Sequence, residues 1–174
     1  MRKHSGMRPQ DIAILLKIIA KGDTTWQNKD LAYELFISTS EISESLNRSS
    51  IAGLLNGEKK KVHRDALMEF LEHGLYYVFP VIPGGMVNGL PTAHSHPFMQ
   101  KHFKSELAYV WADARGKQRG LSVEPLYKEA VKAAQQDELL YKMLGLIDVI
   151  RVGRVREINV AIKELKSITL DAKS

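Results

Sequence analysis

Short polar side chains gather in one stretch of the chain. Ser38, Thr39, Ser40 and Ser43 lie within six residues, and Glu44, Asn47 and Arg48 follow closely. Hydroxyls and amides of this size can approach base edges in the major groove of DNA and both donate and accept hydrogen bonds there. Asn47 suits a base edge or a phosphate, and Arg48 suits a backbone phosphate. Lys59, Lys60 and Lys61 form a local basic run that would neutralise flanking phosphates. Glu41 and Glu44 are awkward in such a surface because carboxylates repel phosphate. Glu41 has a capping role open to it, and Glu44 can accept from a cytosine amine.

The elements that must hold these residues are legible from periodicity. Ile12, Leu15, Leu16 and Ile19 repeat at i, i+3, i+4, i+7 behind Pro9, which predicts an amphipathic helix ending at Lys21-Gly22-Asp23. A second helix is predicted from about Asn28 to Phe36, with Leu31, Ala32 and Leu35 inward. Ser38 opens a third, and Ser38-Thr39-Ser40-Glu41 has the spacing of a capping box. Ile42 and Leu46 form its buried side, which leaves the short polar residues outward. Asn56-Gly57-Glu58 is a turn signal, and Lys59 to Val62 reads as the returning strand of a small wing. A helix over Arg64–Leu75 and a strand over Tyr76–Phe79 follow.

Residues 28–48 resemble the helix-turn-helix of winged-helix regulators, including the MarR type, and the resemblance extends over about residues 9–75. It implies that the helix beginning at Ser38 is a recognition helix and that Lys59–Lys61 lie on a wing. The whole chain is also similar to a bacterial family in which such a winged helix precedes a Pro-Thr-Ala-His segment, a hairpin and a helical tail. The matching pieces are Tyr77-Val78-Phe79-Pro80, Pro91-Thr92-Ala93-His94, Pro125-Leu126-Tyr127, Leu144-Gly145-Leu146-Ile147-Asp148 and Arg151-Val152-Gly153-Arg154. That resemblance implies a MarR-like regulator, with genes for nucleotidyltransferase-like proteins, as in toxin–antitoxin pairs, as neighbours.

Beyond Phe79, Pro80, Pro83, Gly84, Gly85, Gly89, Pro91 and Pro97 break regular structure, so residues 80–105 read as a long loop. Leu107–Ala112 and Gly120–Val123 read as a hairpin turning at Asp113–Lys117. Helices are predicted over Pro125–Gln135, Asp137–Ile150 and Arg154–Ile168. The middle one is apolar nearly all round, which predicts burial in the monomer or in a dimer. His94 and His96 form His-Ser-His, and on a strand both imidazoles would project to one side toward a metal. A third ligand is not evident, although His102, Glu106 and Asp113 stand near, so no metal site is assigned. Arg151, Arg154 and Arg156 with Asp148 and Glu157 read as a local salt-bridge network.

Composition narrows the classes. The 174 residues are 44% hydrophobic and 26% charged, with net charge +5. The basic excess is not where DNA would want it. Residues 1–79 hold 11 basic and 10 acidic side chains, and residues 80–174 hold 14 and 10. With no cysteine, disulfides, zinc fingers and thiol nucleophiles drop out. No apolar run approaches the length of a membrane span, and no signal-peptide pattern precedes Asp11, so a cytoplasmic protein is expected. Residues 1–6 read as a loose tail, with Met7 an alternative start. No phosphate loop or nucleophile elbow is present. The expectation is a mostly helical α+β chain. Residues 1–79 form a winged helix-turn-helix that binds double-stranded DNA. Residues 80–174 form a hairpin plus three helices for dimerisation or partner binding. The function expected is transcriptional regulation without a cofactor, as a homodimer and not an enzyme. The alternatives are a protein-interaction adaptor that does not bind DNA or an antitoxin-like partner of a nucleotidyltransferase, and then a metal-dependent enzyme.

Overall fold

A computed structural model describes residues 6–171; apart from Gly6, the tail expected over 1–6 lies outside the described residues. The first helix, α1 (Pro9–Lys21), starts with Pro at N1, where a missing N–H costs nothing. Asp11 accepts from the Arg8 amide at 2.8 Å. The helix is less amphipathic than its periodicity suggests, because every residue from Asp11 to Ile19 is buried. It is a central strut. Lys17, caught in the middle of it, is neutralised by Asp137 at 2.7 Å and Glu34 at 3.0 Å.

Next come α2 (Asn28–Leu35) and α3 (Thr39–Ile51), joined through Phe36 in the left-handed conformation at φ 58°. The Ile37 amide returns to the Ala32 carbonyl at 3.1 Å and closes the turn. Then follow α4 (Arg64–His73) and a short α5 (Leu75–Val78). The strand expected at Tyr76–Phe79 is thus a helical turn. Leu75 alone of α5 is buried, and one buried residue per turn favours helix over an alternating strand.

Residues 80–105 are not one loop. They contain β1 (Met86–Pro91), a 3-10 turn at Ala93–Ser95 and α6 (Pro97–Gln100). With β2 (Tyr109–Ala112) and β3 (Gln118–Ser122), β1 forms a small closed barrel. The expected hairpin is replaced by a crossing. Both β2 and β3 pair antiparallel with β1, at Gly89↔Ala112 and Gly89↔Gln118, and pair parallel with each other at Tyr109↔Leu121. The connection 113–117 passes over β1 between its two neighbours. Glycines make that possible. A Cβ on Gly116 would stand 2.5 Å from Gly89 Cα, and one on Gly89 would collide with the Trp111 carbonyl oxygen.

The chain ends with α7 (Ala130–Gln136), α8 (Glu138–Val152) and α9 (Val155–Leu170). Residues 125–129, expected to open the helix of α7, lie outside it. Leu140, Met143, Leu144, Leu146, Ile147, Val149 and Ile150 of α8 are buried within the monomer, against α1 and α9. Of the two kinds of burial expected for this helix, in the monomer or in a dimer, its own chain supplies the first, and Ala161 and Leu165 of α9 are buried likewise. A buried charge network fastens α8 to the barrel. Asp148 accepts from Thr92 Oγ1 at 2.7 Å and Trp111 Nε1 at 2.6 Å, and pairs with Arg151 at 2.9 Å. Arg151 also donates to the carbonyls of Phe79 and Glu124. The break expected between residues 79 and 80 is not a break in packing. One apolar cluster runs from Ile12 to Leu165, and Lys17–Asp137 and Arg64–Thr169 cross the boundary.

Candidate nucleic-acid interface

The local sequence explains how α3 is presented. Ser38 is its N-cap, with Oγ accepting from the Glu41 amide at 3.2 Å. The reciprocal half of the capping box is diverted. The Glu41 carboxylate accepts from Gln10 Nε2 at 3.0 Å and lies 3.7 Å from Arg8. Ile42 and Leu46 are buried, together with Ser45 and Ser49. Ser38, Thr39, Ser40 and Ser43 are exposed, and Glu44 and Asn47 are half-buried. Ser40, Ser43, Glu44 and Asn47 follow one helical stripe at i, i+3, i+4, i+7, a ridge about 10 Å long at 1.5 Å per residue.

Arg48 leaves this set. Its side chain is 7% exposed and gripped by fully buried Asp11, Nε to Oδ2 at 2.9 Å and Nη2 to Oδ1 at 2.7 Å. The hydrogen bonds with Asp11 outweigh burial and hold the guanidinium pKa above its ordinary value, helped by the charges of Asp11, Glu41 and Glu44. The two glutamates thus add, as the smaller contributions, to the field that keeps this arginine charged. Arg48 does not reach outward as a phosphate contact; it joins α3 to α1. No sequence signal marks this pairing, since Asp11 in a first helical turn reads as a favourable dipole contact and nothing more.

The expected wing is a tight turn. Leu55 and Val62 form a single antiparallel bridge, and the Asn56 amide donates to the Lys61 carbonyl at 2.8 Å. Asn56 Oδ1 accepts from the amides of Lys60 and Lys61, and Lys59 sits at φ 60°. The three lysines do not act alike. Lys61 is exposed and Lys59 half-buried. The ammonium of Lys60 lies 4.1 Å from the Trp26 ring centroid and donates to the Trp26 carbonyl at 3.0 Å. This fixes the basic turn against the entry to α2.

The histidine pair is split. His94 and His96 occupy the 3-10 turn and its end, not a strand, and both are buried. His94 Nε2 bonds the Leu107 carbonyl at 2.7 Å. His96 Nδ1 accepts from the Phe98 amide at 3.0 Å, while its buried Nε2 has no partner. Burial, with the charge of Lys142, pushes His96 down to about 4. Among the described residues no group of three or more histidine or carboxylate side chains is arranged to hold a metal. Of the three arginines near the α8–α9 junction, Arg151 pairs with Asp148, whereas Glu157 accepts from the backbone amide of Arg154.

Among the described residues no helix is long and apolar enough to cross a membrane. Comparison with family models, with curated proteins and with solved structures finds no match.

Proposed function

We propose that the chain is a DNA-binding regulator that lays the outer stripe of α3 in the major groove and sets the Lys59–Lys61 turn on flanking phosphate. The observation that carries this reading is the exposure of Ser38, Thr39, Ser40 and Ser43 on a helix whose other side is locked into the core. A groove-reading helix needs short polar outward residues and a rigid support. Asp11–Arg48 and the closed turn at Phe36–Ile37 supply the support. In this reading the protein acts in the cytoplasm without catalysing a reaction.

Pairing of two copies, or docking of a partner protein, belongs in this reading to Tyr76, Tyr77, Val78 and Ile82. Tyr76, Tyr77 and Val78 are exposed in succession and Ile82, 89% exposed, follows four positions on; groups of exposed apolar side chains mark association surfaces.

A titration with labelled duplexes tiling the DNA upstream of the chain's own gene tests the proposal. Ser40→Ala with Asn47→Ala removes discrimination between duplexes, since a well-formed pairing to a base edge is worth about 1–3 kcal/mol. Lys59→Ala, Lys60→Ala and Lys61→Ala together weaken every duplex alike and flatten the salt dependence. Binding that ignores both sets of changes contradicts the proposal.

A further inference from the structure

A second strip adjoins α3, and one of its two lysines comes from beyond residue 79. Lys29, Tyr33 and Phe36 fall at i, i+4, i+7 along α2 and its left-handed end, and all three are exposed, Tyr33 at 82%. The strip continues onto α7. The Lys132 ammonium lies 5.8 Å from the Phe36 ring centroid. The segment leading into α7 is tied to α2, because Tyr127 donates its hydroxyl to the Leu35 carbonyl at 3.1 Å, in the last turn of α2. The residues that follow Phe36 are Ile37 and Ser38, the threshold of the recognition stripe.

The strip presents two exposed ammonium groups, Lys29 and Lys132, and the acids beside it have partners of their own. Asp30 accepts from the Gln27 amide at 2.8 Å, and Glu34 is held by Lys17 and Lys21. Glu129 touches Lys132 at 2.9 Å, but that pair is i,i+3 with the lysine 57% exposed, a class of ion pair worth little in water. Phosphate oxygens can replace it.

Resting on the DNA-binding reading above, we infer that Lys29, Tyr33 and Lys132 hold the phosphodiester backbone of the same duplex that α3 reads. Lysine ammonium groups and a tyrosine hydroxyl are standard phosphate donors that position a protein without selecting sequence. The half of the chain beyond residue 79 is then part of the DNA surface, not only a partner module. This also answers the near-neutral charge of residues 1–79: the missing cation is delivered by α7.

Fluorescence anisotropy separates this inference from its parent. The probes are a duplex from the upstream region and a random duplex of equal length, at 50 and 200 mM KCl. Lys132→Ala is expected to weaken both duplexes several-fold at 50 mM. The gap to wild type is expected to narrow by about 3.5-fold at 200 mM, the effect of one phosphate contact with a slope of about −0.9. Lys132→Arg keeps wild-type affinity. Lys163→Ala, which removes the same charge from an exposed position on α9, changes neither duplex. If wild type binds and Lys132→Ala binds equally well, or Lys163→Ala weakens binding as much, the inference is overturned and the α3 reading stands. If wild type binds neither duplex at 50 mM, both fall together.

Discussion

Arg48 offers a sharp contrast between two roles, and replacing its partner exposes it. In the fold Arg48 and Asp11 form a bidentate pair, 2.7 and 2.9 Å, with both side chains almost wholly out of water. Asp11→Ala leaves a guanidinium buried with no counter-charge, and breaking a buried pair from one side costs about 3–5 kcal/mol. It also removes the acceptor for the Arg8 amide, a capping interaction worth about 1 kcal/mol. Taking about 5 kcal/mol overall, and about 2–4 °C per kcal/mol for a chain of this size, the melting point falls by about 10–20 °C. Arg48→Met costs a similar amount because it strands the carboxylate. The double change Asp11→Leu with Arg48→Met removes both charges, and apolar replacements of buried pairs are often neutral. It is expected to lose less than either single change. Urea unfolding monitored by circular dichroism gives the three numbers. Additive losses, or an Arg48→Met protein that melts like wild type, refute the reasoning and return Arg48 to the proposed phosphate-contacting set.

Three further outcomes follow from the same geometry. His96 is held near 4 in the fold against about 6.5 unfolded, so its contribution is intact above pH 6.5 and lost as pH falls from 6.5 toward 4. The loss amounts to about 3 kcal/mol at about 1.4 kcal/mol per pH unit; His96→Asn should flatten that part of the stability profile, and an unchanged slope counts against it. Asp148→Ala removes the acceptor of Thr92, Trp111 and Arg151 at once and is expected to cost at least about 3 kcal/mol in urea unfolding, with a loss below about 1 contradicting the network. Gly89→Ala forces a methyl into the Trp111 carbonyl and should cost about 3 kcal/mol or more. Gly85→Ala, with open space at its Cβ, should be tolerated, so equal melting points for the two variants would deny the crossing at β1.

What sequence can reveal depends on how local the cause is. The helices α1, α3, α8 and α9 are visible because each carries an apolar period with a start or stop signal, as at Pro9, Ser38 and Asp137. The exposed stripe on α3 is legible for the same reason: burial of Ile42 and Leu46 fixes where Ser40 and Ser43 point. β1 is hidden. Met-Val-Asn-Gly-Leu-Pro contains a glycine and a proline and no alternation, because its shape is set by the 113–117 segment passing over Gly89. The strands β2 and β3 are legible, but a short connection between them reads as a hairpin, and only the inserted β1 makes them parallel. The roles of Arg48, Lys60 and Lys132 escape a sequence reading because their partners, Asp11, Trp26 and Phe36, lie 34 to 96 positions away. Apolar α8 reads as buried and is, but the choice between its own chain and a second copy needs α1 and α9 in place.

The claim on which the account turns is that the outer stripe of α3 meets bases. Amide chemical shifts followed by NMR while an upstream duplex is added test it most directly. The account expects the largest changes at Ser38, Thr39, Ser40, Ser43 and Asn47, with smaller ones around Lys61 and Lys132, and none in the interior of α8. Changes confined to Tyr76–Ile82, or an α3 that does not respond to saturating duplex, would contradict it.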